Sequence, residues 1–538
     1  LNEKARTEID RLVNQLPLPE KLLQIPSDKY VAPVAIIDAL KNFADSTHGG
    51  YGEAPKFPHF AFLQWYSEQI LEGMIPQESG KHLVLTLEKM LMGGFYDHLR
   101  GGCHRYSTDK AWRIPHFEKM LYDQAGLIMV LARATCFYPS PLLLDALLQT
   151  LDFLKAEFLH EKKYFMSSQD ADSEGEEGFY YTFTLEEFNQ ALSGVGSEEE
   201  IKEWGQWWDV TDQGQTPQGL NILALQEKFR NQFYPEEGWK KVRLIKQALL
   251  KARQQRIPPA TDSKGLASWN FLILESLCDV IQYVRQPVIV QKAFEILNVS
   301  LEPIMTTFMQ TSSQASHSTL VKSGEHTIRH STAQDHSALY LEDYVAFASL
   351  QLRLYEVIGQ HVFKDNLLES LAFIKQTFLG NEGLYLVDSS AVYRPVAILN
   401  DLSYRSPLAN LLFLLKRASL IDSTFKTQDW FPSVTVKDRK LSGEEAFKQI
   451  SLVHPVAHGE ALRAFTYPDH AFRKIEAPRE WVNDSRFQKL RGYLMGRFIL
   501  TYQEEHPHKW LVCTFESCTH QGEGWDDFEK VFAPKDKM

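Results

Sequence analysis

The chain has 538 residues, 44% of them hydrophobic, a formal net charge of −12 and no dense run of lysine or arginine. That length allows a large buried core, and a polyanionic partner would meet net repulsion with no basic stripe to offset it, so nucleic acid is set aside. No stretch approaches the ~20 consecutive apolar residues of a membrane span; even Leu408 to Leu415 runs into Lys416 and Arg417, and a soluble protein is expected.

Residues 1–30 read as a connecting segment: Leu1 to Arg11 mix charges at helical spacing and carry no apolar signal core behind a basic start. The chain opens inside a helix-like stretch without Met, which predicts a preceding portion in a longer protein. From 31 to 465 the pattern is helical. Leu83, Leu87, Met90 and Leu91 form one apolar stripe, and Leu144, Leu147, Leu148, Leu151 and Leu154 another. The pattern continues through Leu339 to Ile358, Leu367 to Phe378 and Leu408 to Leu420, each bounded by glycines, prolines or short polar loops, so repeated helical hairpins are expected. Glycines cluster at Gly49-Gly50, Gly52, Gly93-Gly94, Gly101-Gly102, Gly175 and Gly178, which suits either the tight mouth of a helical ring or ordinary C-caps.

Between 162 and 183 the period changes. Tyr164 to Met166 and Phe179 to Phe183 are β-prone and flank Asp170, Asp172, Glu174, Glu176 and Glu177, predicting a β-hairpin with an acidic tip. Thr184 with Glu187 and Ser197 with Glu200 match the capping box and restart helices. Thr311 to Ser318 reads as a polar loop. Phe498 to Tyr502 and Trp510 to Phe515 read as strands around a turn, making 466–538 a small α/β or β appendage.

Five cysteines in so long a chain fit a reducing, cytoplasmic compartment. Cys513, Cys518 and His520 lack an apparent fourth ligand at zinc spacing, and no metal is expected there. No GxxxxGK[ST], GxSxG or HExxH motif is present.

The densest constellation is GGFYDHLRGGCHRYSTDKAWRIPHFEKMLYDQ, from Gly93 to Gln124. Pro115 suits the first turn of a helix, which would place His116 and Glu118 at its N-terminal end, where a carboxylate and a neutral imidazole are favoured and proton transfer is feasible. Arg105, Tyr106 and Trp112 offer a planar multi-donor group beside aromatic faces, as a polyhydroxyl ligand needs. The same residues also suit ties between backbone groups that orient one hairpin on the next. Asp170 and Asp172 lie two apart, as paired carboxylates or as a solvated acidic turn. Around TDSKGLASWN and QDHSALYLEDY, Asp262, Lys264, Trp269, Asn270, Asp335, His336, Asp343 and Tyr344 give weaker support, with Asn270 equally suited to an N-cap.

GGYGEAPKFPHF, the long Gly93 run and DADSEGEEGFYY resemble the signature runs of YyaL-like and spermatogenesis-associated thioredoxin-like proteins. The resemblance covers nearly the whole chain and implies a mainly α, (α/α)6 toroid, a six-hairpin barrel similar to that of N-acylglucosamine 2-epimerases and six-hairpin glycosidases, following a thioredoxin-like domain. It departs at Cys103, where the family usually has an aromatic residue, and at TDSKGLASWN and DLSYRSPLAN. It implies a carbohydrate-active enzyme, epimerase- or glycosidase-like, or a non-catalytic scaffold working with a thioredoxin-like partner. Proton transfer is assigned to His104 and His116, with Asp97, Glu118, Asp170 and Asp172 as carboxylate partners. Substrate contacts are assigned to Arg105, Tyr106, Trp112, Tyr122, Asp123, Trp269, Asn270, Asp343 and Tyr344. No cofactor is expected.

Overall fold

The structure, a computed structural model, describes residues 31–532 except 77, 312–325, 334–337, 382, 392–394, 396, 402–403, 432–433, 437–438, 468–470, 492–497, 505, 507 and 515–516. The connecting segment expected at 1–30, the polar loop expected after Thr311, and Asp335 and His336 lie outside the described residues. The fold is mainly helical with a small strand-rich sheet near the C-terminal end, and the described residues form two compact units.

One unit comprises 31–42, 59–80 and 266–532. Its helices Phe60–Leu71, Gly459–Phe465, Pro407–Ala418, Leu341–Ile358 and Ala267–Tyr283 pack side by side in that order. Ala267–Tyr283 and Leu341–Ile358 are buried on nearly every side, as helices enclosed by neighbours must be. Pro287–Phe308 and His361–Phe378 each fold back on one of them as a hairpin and bury a single stripe; in the first it is Ile289, Ala293, Ile296, Leu297, Ile304 and Phe308. The enclosed helices carry charges, and these are paired: Arg353 with Asp279 at 2.6 Å and Glu356 at 2.7 Å, and Arg463 with Glu68 at 2.8 Å. Arg405 chelates Glu275, and Arg417 joins Glu356. Burial without these partners would be prohibitive.

The C-terminal sheet differs from expectation. Phe498–Gln503 and Lys509–Cys513 are strands but do not pair with each other; Arg473–Pro478 lies between them, parallel to the first and antiparallel to the second. Cys518–Glu523 completes the sheet, and Cys513 and Cys518 face each other across that last hairpin as a disulfide, which runs against the reducing compartment expected from the cysteine count. The helix Trp525–Phe532 seats Phe528 against Trp510 and Trp481, with ring centroids 5.3 and 5.2 Å apart.

The other unit comprises 43–58 and 81–265. It contains the expected helices at Lys81–Met92 and Pro141–Phe153, the latter capped by Ser140, and Leu121–Ala134 and Glu236–Arg253 besides. Both capping boxes form, at the starts of Leu185–Leu192 and Glu198–Trp207. The acidic run makes a short hairpin, Asp172–Ser173 against Glu176–Glu177, while Phe179–Tyr181 is a 3-10 turn and not the expected strand.

Pro115 does not start a helix. Pro115–His116 is a strand paired with Tyr106–Ser107, Lys119–Met120 pairs with Ser168–Gln169, and the helix begins at Leu121. The cause is the turn between the strands: the carboxylate of Asp109 accepts the N–H groups of Ala111, Arg113 and Ile114, and Trp112 takes φ 61°. Together these close a hairpin instead of a helical turn. The hairpin's tip lies on Gly93 and Gly94, where a Cβ would stand 2.2 Å from the carbonyl oxygens of Trp112 and Arg113. Only glycine admits that approach.

Candidate functional site

The Gly93–Gln124 segment divides into a buried half and a half that reaches solvent. In the buried half Asp97 accepts two bonds from Arg253, at 2.8 and 3.0 Å, and one from Lys119 Nζ at 2.7 Å. Burial opposes the charge of Asp97, yet Arg253 and Lys119 outweigh it and hold the carboxyl well below its usual range. His104 is enclosed, its Nδ1 2.9 Å from the carbonyl of Phe117 and its ring edge-on to Phe117 and Tyr181. Burial, with Lys119 nearby, lowers its pKa to about 3, so it stays neutral at physiological pH. Trp112 is wholly buried, donates to the carbonyl of His48 and meets Phe95 edge-on. These three placements correct the sequence reading. Asp97 is a salt-bridged anion with no open lone pair for a proton, His104 is packed between Phe117 and Tyr181 with its Nδ1 on the carbonyl of Phe117, and the face of Trp112 is closed to a ligand.

The other half brings its groups together. Tyr106 and His116 stack across the hairpin with centroids 5.1 Å apart, and the half-exposed Phe57 continues this aromatic face at 5.0 Å from Tyr106. His116 Nδ1 lies 2.7 Å from Glu177 and its Nε2 3.5 Å from Glu118, while Arg105 donates to Glu118 at 3.0 Å. Arg105 also bonds Tyr122, which opens the next helix beside Asp123. The carboxyl of Asp123 is buried, and its Oδ2 has no hydrogen-bond partner among the described residues. Burial pushes the Asp123 pKa well up, with Arg105 opposing and Glu118 adding to the rise, so the fold favours its protonated form. His116, Glu118, Arg105, Tyr106, Tyr122 and Asp123 thus form one cluster. Asp170 and Asp172 are exposed, and no hydrogen bond or ion pair joins either to His116 or Glu118; Glu177 takes the place expected of them. Glu177 is carried there by the acidic hairpin, a pairing that its spacing alone does not reveal.

The residues from the weaker motifs belong to the first unit. Asn270 lies inside its helix, not at the cap, and donates to the carbonyl of Leu266 at 2.9 Å. Tyr344 is buried, accepts the N–H of Ile328 at 3.0 Å and stacks on Phe373, so both side chains serve the backbone and core. Trp269 is half-buried with Tyr404 edge-on to it. Asp343 is fully buried and 2.9 Å from His330 Nδ1. His330 and Tyr404 carry no local signal: what makes them neighbours of Asp343 is the folding back of distant segments.

No family model matches the chain. Spermatogenesis-associated protein 20 of Homo sapiens is 33% identical over 264 residues, which are 43% of this chain and 33% of that protein. The mouse protein of the same name is 31% identical over 284 residues, 47% of this chain and 35% of its own length. Over these segments the chain is similar to spermatogenesis-associated protein 20. The resemblance carried by the glycine and acidic runs therefore holds, and the match spans about a third of the length of these relatives. An uncharacterized protein of Caenorhabditis elegans is 26% identical over 401 residues, 68% of this chain and 53% of that one.

Among solved structures, a sugar epimerase from a ruminal bacterium superimposes with a TM-score of 0.30 at 12% identity, over 70% of this chain and 90% of its own. The cellobiose 2-epimerase of Spirochaeta thermophila gives 0.30 at 13%, over 74% and 96%. Among the described residues no helix is long and apolar enough to cross a membrane.

Proposed function

We propose that the chain is a carbohydrate-active enzyme of epimerase or isomerase type, its helical hairpins those of a six-hairpin toroid, working by acid–base chemistry at the Arg105–Asp123 cluster. The observation that carries this is Asp123: a buried carboxyl with an unpartnered oxygen, its pKa pushed up by burial, set beside the solvent-reaching Glu118 and Arg105. Two acids in such different settings divide the roles of donor and acceptor. Glu118, relayed to His116 and Glu177, takes the proton from the carbon next to the sugar carbonyl. Asp123 returns one to the same carbon or its neighbour, and the Arg105 guanidinium stabilises the charge that builds on the carbonyl oxygen between these steps. Tyr106 and Phe57 supply the aromatic face for the ring. A cytoplasmic address belongs to the same proposal, resting on the small number of cysteines in so long a chain and set against the Cys513–Cys518 disulfide.

The test is incubation with aldoses, ketoses and disaccharides in deuterated water, followed by NMR. Deuterium entering at C2 is expected, and Asp123→Asn and Glu118→Gln should each abolish it while the far-ultraviolet circular dichroism is retained. Hydrolysis of a disaccharide without exchange would move the reading to a glycosidase. A panel with neither outcome overturns the enzyme and leaves a scaffold module that works beside a thioredoxin-like domain. The burial of Asp97, His104 and Trp112 in a network tying loop to helix favours that second reading.

A further inference from the structure

In the first unit, His330, Glu342 and Asp343 place an imidazole nitrogen and two carboxylate oxygens within 4.8 Å of one another. His330 Nδ1 stands 2.9 Å from Asp343 Oδ2 and 3.8 Å from Glu342 Oε1. Two ligands bound at ~2.1 Å to one ion stand ~3.0 Å apart in octahedral and ~3.4 Å apart in tetrahedral geometry, so these separations bracket those of a coordination sphere.

The remaining oxygens are held from outside. Asp343 Oδ1 accepts the N–H of Ser268 at 3.0 Å, and the hydroxyl of Tyr404 donates to Glu342 Oε2. The His330 ring lies on Tyr340 with centroids 4.3 Å apart, and its own backbone carbonyl accepts the N–H of Ala267. Each group is thus fixed by a partner that leaves one ligating atom directed at the other two, the arrangement by which outer contacts orient a metal site.

Two further observations point to a ligand. Ser268 is 1% exposed, lies against Asp343 and Tyr404, and its Oγ makes no hydrogen bond of normal geometry among the described residues. The cluster is also closed on one side and open on the other: Asp343 has no exposed side-chain surface, whereas His330 retains 23% and Glu342 31%.

We propose that His330, Glu342 and Asp343 bind a divalent cation of the Mn2+ or Zn2+ kind, with its open positions taken by water or a ligand oxygen. One nitrogen and two carboxylates suit these borderline-to-hard ions. The site is built from residues of the first unit and the Arg105–Asp123 cluster from residues of the other, and Mn2+ binding is read without turnover, so either proposal stands or falls by itself.

The experiment is calorimetric titration of the chelator-treated full chain with MnCl2, repeated by electron paramagnetic resonance of the bound Mn2+. Mn2+ is the primary probe because it is paramagnetic and, as a harder ion than Zn2+, prefers the two carboxylates to any thiol of the chain. One equivalent should bind, and His330→Gln and Glu342→Gln should each weaken binding by at least about 10-fold. If His330→Gln does not fold, Glu342→Gln carries the test together with Tyr404→Phe, which should weaken binding by a smaller factor. Absence of binding, or binding unchanged in Glu342→Gln, overturns the site and leaves His330 and Asp343 as a hydrogen-bonded pair.

Discussion

Asp97 and Asp123 are both buried carboxyls in one loop-and-helix segment, yet they answer differently to the same substitution. Asp97→Asn leaves Arg253 and Lys119 as buried cations without their counter-ion. Breaking such a pair from one side costs about 3–5 kcal/mol, and a loss of that order is expected in urea denaturation. Asp123→Asn replaces a carboxyl that burial already drives towards its protonated form, so stability should stay within about 1 kcal/mol of the parent chain while turnover is lost. The reverse pattern would mean that the two acids have been given each other's roles. Residue types in this segment were legible in the sequence; their division into network and site was not. Arg253 lies 156 positions from Asp97 and Glu177 61 from His116, and only folding decides which acid each cation or imidazole meets.

Helices were read correctly where one face carries a long apolar stripe, as at Pro141–Phe153 and His361–Phe378, and the capping boxes located two starts to the residue. Short strands were misread because two or three residues have no measurable period. Pro115 follows a turn that Asp109 closes through three backbone bonds, a device that outweighs the preference of proline for a helical first turn. Arg473–Pro478 was missed because RKIEAP looks like a charged loop, although Ile475 pairs with both Leu500 and Val512 in the middle of the sheet. The capping boxes give a prediction at this scale. Thr184 Oγ1 accepts the N–H of Glu187, whose carboxylate returns to the N–H of Thr184. Thr184→Ala should cost about 1 kcal/mol. Amide exchange should rise within Leu185–Leu192 and stay unchanged in Glu198–Trp207; equal rises in both helices would show that the cap acts through something other than its own helix.

For the chain as a whole, buried groups of opposite kinds set the pH dependence of stability. Burial lowers the pKa of His59 to about 4 and those of His98 and His104 to about 3, against an ordinary value of 6.5. Below pH 6.5 the unfolded chain takes up protons that these imidazoles refuse in the fold, so their contribution is complete above 6.5 and drains away as the pH falls towards 3. Asp401 works in the other direction. Burial raises it to about 8 despite the N–H groups of Glu460 and Ser406 on its oxygens, so the folded chain keeps a proton that the unfolded chain releases near 3.8. Its contribution is complete in acid and lost as the pH climbs through 8, and Asp123 adds to the same side. Between 3.8 and 6.5 these histidines, with His82, His454 and His458 shifted the same way by burial, oppose the acids, and above 6.5 they are silent while Asp401 and Asp123 still act; Asp97, held low by its salt bridges, loses its contribution only as the pH falls below 3.8. The melting temperature should therefore peak near pH 6.5 and fall on both sides when followed by calorimetry from pH 4 to 9. His104→Gln should flatten the acid limb and Asp401→Asn the alkaline one. A melting temperature that keeps rising from pH 6.5 to 8 would mean that Asp401 and Asp123 are ionised in the folded chain, and with Asp123 ionised the proton donor of the proposed reaction would be gone.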